Sequence, residues 1–210
     1  MRTAFLAAVI LVISSSGAAA QTETPAPPPS VTLFPGTETP QVKQCLSGAA
    51  YIYKEYTIYV SETPGSPGQD IRIGKSPAGD PCGPDKGGQY FTVLASGLGG
   101  ADYFSGISGD YLFIDQGTGP SYRTLSIFDM RDKTYPLRAV RYADAGIENG
   151  TFTYYETMDE VDGALAKIPC PKAPEWKWQG LNVVYEEQMS FDLKTGRQNS
   201  LRNFRCSPAQ

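Results

Sequence analysis

The feature that most constrains this chain is a two-residue alternation of β-branched and aromatic residues, which recurs in short runs. The first run, 50–60, reads AYIYKEYTIYV, and further runs follow, each bounded by Gly, Pro, Asn or Asp. Successive side chains of a strand point to opposite faces, so such runs predict strands. The connections are too short for crossover helices, so neighbouring strands pair antiparallel. The sequence therefore predicts an all-β fold, an antiparallel meander of hairpins that forms a sandwich or a barrel.

Two local signals stand out within this pattern. Asn149 followed by Gly150 predicts a two-residue hairpin turn, because both central residues of a type I′ turn need a positive φ. Thr157 with Glu160 three residues later forms a helix capping box, and Pro169 would end the helix. We therefore expect one short helix near 158–167.

The N-terminus has the pattern of an export signal. Arg2 precedes an apolar run without charge, 4–13, and the Ala triplet at 18–20 offers a small-residue cleavage site. The apolar run is shorter than the roughly 20 residues that a membrane-spanning helix needs. We therefore predict a signal peptide over 1–20, and export to the periplasm or the extracellular space.

The rest of the chain divides into a tether and one domain. Residues 21–43 are rich in Pro and Thr and carry few groups to bury, which favours a disordered linker. Residues 44–210 carry the predicted strands and are long enough for a single domain with its own core. We expect a single β-rich domain over this range.

Four cysteines, all in the predicted exported part, indicate disulfides. An even number in an oxidising compartment favours bridges, and four cysteines allow three pairings. We favour Cys45 with Cys82 and Cys170 with Cys206, because the two loops are similar in length and do not cross. A zinc site is the rival, but no two cysteines have zinc-knuckle spacing.

The chain of 210 residues has no histidine, and this excludes more chemistry than any motif supplies. The chain therefore cannot form a Ser-His-Asp or Cys-His catalytic site or a His-ligated metal site. The net charge of −4 is poorly suited to holding nucleic acid or an anionic membrane. We expect no cofactor, no metal and no nucleic-acid partner.

The stretch YLFIDQGTGP, 111–120, combines an Asp with a Gly-rich turn. With the strand that follows, it resembles the phosphate-binding hairpin of glycerol-kinase-like sugar kinases, in which Asp115 would hold magnesium and the backbone of Gly117 and Thr118 would approach phosphate. The motif lies mid-chain, however, and no second Asp-x-Gly-Gly turn follows. It also departs from the Asp-Thr/Ser-Gly pattern of aspartic proteases. We therefore predict a hairpin loop in which Gly117 and Gly119 take positive φ.

Carboxylates cluster around this hairpin and leave an enzymatic alternative open. Paired acids about 5 to 10 Å apart are the minimum for glycoside hydrolysis. Asp110 and Asp129 would face each other across the base of the 111–129 hairpin, and Asp115 lies on the same hairpin. If the protein is an enzyme, these three are the predicted catalytic acids.

A partial internal repeat places four arginines on predicted strands. Residues 128–141 and 191–205 share Phe-Asp-apolar-basic, a turn, and then Leu-Arg-x-apolar-Arg. The arginines form either a basic binding ledge or the solvated positions of a hairpin that occurs twice. They are Arg138, Arg141, Arg202 and Arg205.

Trp176 and Trp178 alternate in the segment PEWKWQG. Residues two apart on a strand share one face, so the pair would either pack in the core or line a groove that binds glycan or peptide. We therefore expect an exported, disulfide-stabilised, non-catalytic β domain that binds a protein or glycan partner at the cell envelope through the tryptophans and arginines. The alternative is a carboxylate-based hydrolase that acts on envelope glycan or peptide.

Overall fold

The structure, a computed structural model, describes residues 31–62, 65, 67–76, 79–83, 90–93, 101–117, 123–158 and 168–209. The elements in chain order are β1 (Gln41–Cys45), β2 (Gly48–Ile52), β3 (Tyr56–Glu62), β4 (Gln69–Lys75), β5 (Tyr90–Val93), β6 (Asp102–Ser108), β7 (Tyr111–Gln116), β8 (Thr124–Asp129), β9 (Thr134–Glu148), β10 (Thr151–Met158), α1 (Ala173–Trp178), β11 (Asn182–Asp192) and β12 (Arg197–Ala209).

The strands form two antiparallel sheets in which every strand neighbours the next one in the chain. The small sheet has five strands in the order β1 to β5, and the large sheet has seven in the order β6 to β12. The sheets do not close into a barrel. The predicted antiparallel meander is confirmed, and the sandwich alternative is the one the structure supports.

The two sheets share an apolar core. Inward residues of the small sheet, such as Ile58 and Ile73, pack with Phe104, Leu112 and Ile114 of the large sheet, and all five are fully buried. Ile58 belongs to the first predicted strand run, 50–60, whereas Ile73 lies on β4, which the strand pattern did not predict. Burial of such side chains is the main favourable term in folding, worth about 1.5–3 kcal/mol for each.

The large sheet folds over onto itself and encloses a second core. The ring centroids of Phe113 on β7 and Phe152 on β10 are 4.7 Å apart, and those of Tyr111 and Phe191 are 5.3 Å apart. Since β8 and β9 lie between β7 and β10, a flat sheet would separate the two phenylalanines by about 14 Å. Register shifts between β8 and β9 and between β9 and β10 supply the bend, because a β-bulge increases local twist.

The segment before β1 packs against this fold. The backbone N–H of Phe34 donates to the carbonyl of Ser105 on β6 (3.0 Å), and that of Ile147 on β9 donates to the carbonyl of Pro35 (2.7 Å). The Phe34 ring lies 5.7 Å from that of Phe152. We expected residues 31–43 to belong to a linker. Phe34 in this range instead contributes to the second core, and β1 begins at Gln41. Residues 21–30 lie outside the described part of the chain.

The internal repeat corresponds to two hairpins with the same turn chemistry. Asp129 at the end of β8 accepts hydrogen bonds from the backbone N–H groups two and three residues on (2.9 and 3.4 Å), and Asp192 at the end of β11 does the same (2.8 and 2.7 Å). Each turn also contains a residue with positive φ, which is Lys133 (56°) in the first turn and Gly196 (67°) in the second. The hairpin that occurs twice is therefore set by an Asp side chain that mimics a backbone turn.

The turn predicted at Asn149-Gly150 is present, and the 111–129 segment pairs as a hairpin. Asn149 and Gly150 have φ values of 51° and 75°, as a type I′ turn requires, and join β9 to β10. The strands β7 and β8 pair from Tyr111 with Asp129 onward, and Gly117 has a φ of 109°. Gly119 lies outside the described residues.

The helix predicted near 158–167 falls almost entirely outside the described residues. Residues 159–167 lie outside the described part of the chain, and Met158 is the last residue of β10. Thr157, expected as the helix cap, pairs with Glu186 across the sheet. The described helix is α1, which begins after Pro169 rather than before it. Thr157 and Met158 are strand residues, and the helix over the residues that follow stays a prediction.

Both favoured disulfides are confirmed. Cys45 and Cys82, with Cα atoms 5.4 Å apart, tie β1 to the segment after β4. Cys170 and Cys206, with Cα atoms 5.8 Å apart, tie the segment before α1 to β12. Each bridge restricts the unfolded chain and is worth about 2–4 kcal/mol.

Replacing Phe152 by Ala tests the second core. We expect the free energy of unfolding, measured by urea denaturation, to fall by about 3–5 kcal/mol because a fully buried ring is lost. The matched control is Phe204→Ala, whose ring is 42% exposed on β12 and whose loss should change stability by about 0.5 kcal/mol or less. Equal effects of the two substitutions would contradict the described burial.

Candidate functional site

The three carboxylates of the predicted hydrolase set do not converge. Asp110 and Asp129 both contact Arg131, at 3.3 and 2.8 Å, beside the turns at one end of the large sheet. Asp115 lies five residues further along β7, roughly 17 Å away, where it binds the guanidinium of Arg123. The arrangement therefore separates one acid from the other two.

Asp110 and Asp129 both form ion pairs with Arg131. Burial alone would raise the pKa of Asp129, but hydrogen bonds from the side chain and backbone of Arg131 and from the backbone of Asp132 outweigh it and hold the pKa below its ordinary value. The phenol of Tyr56 donates to Asp110 at 2.7 Å, and burial together with this bond raises the pKa of that phenol. A general acid needs its pKa raised toward the working pH. The pKa of Asp129 is lowered instead.

Replacing Asp129 by Asn should destabilise the protein in a pH-dependent way. Ionised Asp129 contributes stability because its folded-state pKa lies below the ordinary 3.8. That contribution is present above pH 3.8 and is lost as the pH falls through the folded-state pKa. We expect a loss of about 1–2 kcal/mol at pH 7, measured by urea unfolding, which shrinks in the acid range. A loss that grows below pH 3.8 would contradict this account.

The two predicted tryptophans lie on a helix and not on a shared sheet face. They belong to α1, where residues two apart differ by about 200° around the axis. Trp176 is half-buried, whereas the side chain of Trp178 is 88% exposed. The helix ends in a Schellman motif: Leu181 N–H donates to the Trp176 carbonyl (3.0 Å), and Gly180 takes a φ of 77°. The expected common face was wrong because the segment is helical.

The four predicted arginines occupy two separate places. Arg138 and Arg141 lie on β9, and Arg202 and Arg205 lie on β12, three strands further on. Arg138 stacks over the ring of Tyr135 at 5.3 Å. The four arginines thus lie on two strands of the same sheet, with β10 and β11 between them.

Arg205 has a structural partnership across the sheet. Its guanidinium contacts Glu186 of β11 at 2.6 Å and Asp144 of β9 at 2.5 Å, and it lies 3.6 Å above the ring of Tyr155 on β10. The side chain of Glu186 is buried, so the pair compensates a charge removed from water. Arg205 therefore holds β12 to the three strands before it.

Replacing Arg205 by Met, which keeps the apolar stem over Tyr155, should destabilise the protein. Glu186 would be left buried without its counter-charge, so we expect a loss of about 2 kcal/mol or more in the free energy of unfolding. The control is Arg202→Met on the same strand, an exposed residue, for which we expect a change of about 0.5 kcal/mol or less. Thermal or urea unfolding distinguishes the two, and equal losses would refute the role of Arg205.

The remaining feature of this region is an exposed strand edge. Residues 197–204 of β12 are exposed throughout, and among them are Leu201 at 47% and Phe204 at 42%. We call the set Arg197, Leu201, Arg202 and Phe204 of β12 the edge surface. Sequence reasoning missed Leu201 and Phe204, although the mixed polar and apolar run RQNSLRNFR is typical of an edge strand.

Comparisons of the chain with known protein families, curated proteins and solved structures found no match. No helix among the described residues has the length and apolar character needed to cross a membrane. Over the same residues, no group of three or more His, Cys, Asp or Glu side chains is arranged to hold a metal ion. The functional argument therefore depends on the surface itself.

Proposed function

We propose that this protein is an exported, disulfide-stabilised, non-catalytic binding protein that holds a protein partner at the cell envelope. The edge surface receives an extended, acidic segment of that partner, which pairs with β12. The observation that carries the proposal is a 13-residue edge strand with eight consecutive exposed residues at 197–204. Export is inferred from the N-terminal signal pattern and is compatible with the two disulfides.

The backbone of β12 favours a protein over a glycan. Among the described strands β12 pairs only with β11, so one side of its backbone presents N–H and C=O groups to a further strand. An extended peptide satisfies these groups in a regular ladder, with affinity from the backbone and specificity from alternate side chains. A glycan has no such repeat of amide groups.

The side chains of the edge surface specify an acidic partner with apolar residues. Arg197 and Arg202 are exposed, and no carboxylate of the described residues lies within salt-bridge distance of either. Leu201 and Phe204 offer apolar contact on the same strand, and Cys170–Cys206 ties the segment before α1 to it. A second copy of β12 would bring arginines against arginines, which like-charge repulsion disfavours.

Site-specific photocrosslinking in producing cells tests this proposal. With benzoylphenylalanine in place of Phe204, we expect a protein adduct in the envelope fraction, and we expect Arg202→Glu or Leu201→Ala to reduce its yield at least about threefold. The matched control carries the crosslinker in place of Leu46, an 81% exposed residue after β1, and should give no such adduct.

Three results would overturn the proposal. The first is an adduct at position 204 that is insensitive to both substitutions, and the second is the same adduct formed from position 46. The third is an adduct that mass spectrometry identifies as a glycan or as a second copy of the chain. Leu201→Ala and Arg202→Glu alter exposed side chains, so the variants should keep the melting temperature of the parent protein.

A further inference from the structure

A cavity of about 480 Å³ lies between the small sheet and the turn that joins β8 to β9. Its small-sheet wall comes from β3, β4 and β5, and its opposite wall comes from residues 130–133. Ile73, Phe91 and Met130 provide apolar surface. Cavities of a few hundred Å³ with apolar walls and a few polar groups are typical of small-molecule sites.

Two lysines bring positive charge to this cavity. The ammonium of Lys75 lies 4.2 Å from the centroid of the Tyr56 ring, and that of Lys133 lies 4.6 Å from the centroid of the Phe91 ring. Contact with a ring face limits the positions of a long, flexible side chain. Within the described part of the chain, neither ammonium has a carboxylate at salt-bridge distance. Both charges are therefore available to a ligand.

The third cation of the lining is already neutralised. Arg131 is bound by Asp129 and Asp110, at 2.8 and 3.3 Å, and Tyr56 donates to Asp110 at 2.7 Å. The carboxylates lie behind Arg131 and are not part of the cavity lining. The lining thus presents two uncompensated positive charges beside apolar surface.

The wall of the cavity at β4 and β5 is closely packed. A Cβ atom on Gly74 would meet the ring of Tyr90 at 3.0 Å, so the ring lies directly over the glycine. The Tyr90 hydroxyl donates to the carbonyl of Pro81 at 3.4 Å. These contacts fix the position of an aromatic wall without a bound ligand, and a pre-formed wall lowers the entropic cost of binding.

We propose that this cavity binds a small organic anion that carries an apolar, flat body. Lys75 and Lys133 contact its carboxylate or phosphate group, and Ile73, Phe91 and Met130 contact its body. An apolar neutral molecule would leave both ammonium groups desolvated and unpaired, which costs binding free energy. The site is separate from the edge surface and does not depend on a protein partner.

Isothermal titration of the full chain with naphthalene-1-carboxylate tests the site, with neutral naphthalene-1-carboxamide as the matched probe. We expect the carboxylate to bind at least about tenfold more tightly than the amide, and added salt to weaken its binding. Lys75→Met and Lys133→Met keep the apolar stem and should each weaken carboxylate binding about tenfold. Lys75→Arg should retain it, because the charge is kept.

Two controls separate this site from the rest of the molecule. Lys177→Met removes an exposed lysine on α1, and Arg202→Glu changes the edge surface, and both should leave carboxylate binding unchanged. Equal affinity for acid and amide would overturn the proposal, as would unchanged binding in both Lys75→Met and Lys133→Met. All variants replace exposed side chains, and an unchanged melting temperature confirms that they fold.

Discussion

The rings of Phe113 and Phe152 meet at 4.7 Å across two intervening strands, and the arrangement of the large sheet depends on that contact. It brings β10 and β11 over β7, so that one face of β6 to β8 is covered by the sheet's own later strands. The opposite face is left for the small sheet. Phe34 packs against both rings, at 6.1 and 5.7 Å, and so joins the segment before β1 to the same core.

Both candidate sites follow from this bend. Because β10 and β11 carry the second core, β12 comes last and remains an edge, held through Arg205 and the Cys170–Cys206 bridge. The small sheet covers only one face of β6 to β8. The end of the small sheet lies next to the turn between β8 and β9, and the cavity lies between that sheet and that turn. A partner strand at the edge and an anion in the cavity would therefore act at two different places on one folded unit.

Local signals predicted much of this fold. The Asn149-Gly150 turn, the strands and the turns after Asp129 and Asp192 all depend on residues that are close together in the chain. Each of them lies where the sequence pattern occurs. The common sheet face expected for the tryptophans was wrong, because the segment is helical and the six residues of α1 are too few to show a helical period. The role of Arg205 depends on Asp144, 61 residues away, which no local pattern reveals.

Proton nuclear magnetic resonance tests the bend most directly. Ring protons separated by about 5 Å or less give a nuclear Overhauser effect, and the Phe113 and Phe152 centroids lie 4.7 Å apart. In protein with selectively labelled phenylalanines, the account predicts a strong cross-peak between these two rings. An open, flat sheet places them about 14 Å apart. Absence of the cross-peak in folded protein would contradict the bend and, with it, the described positions of β12 and the cavity.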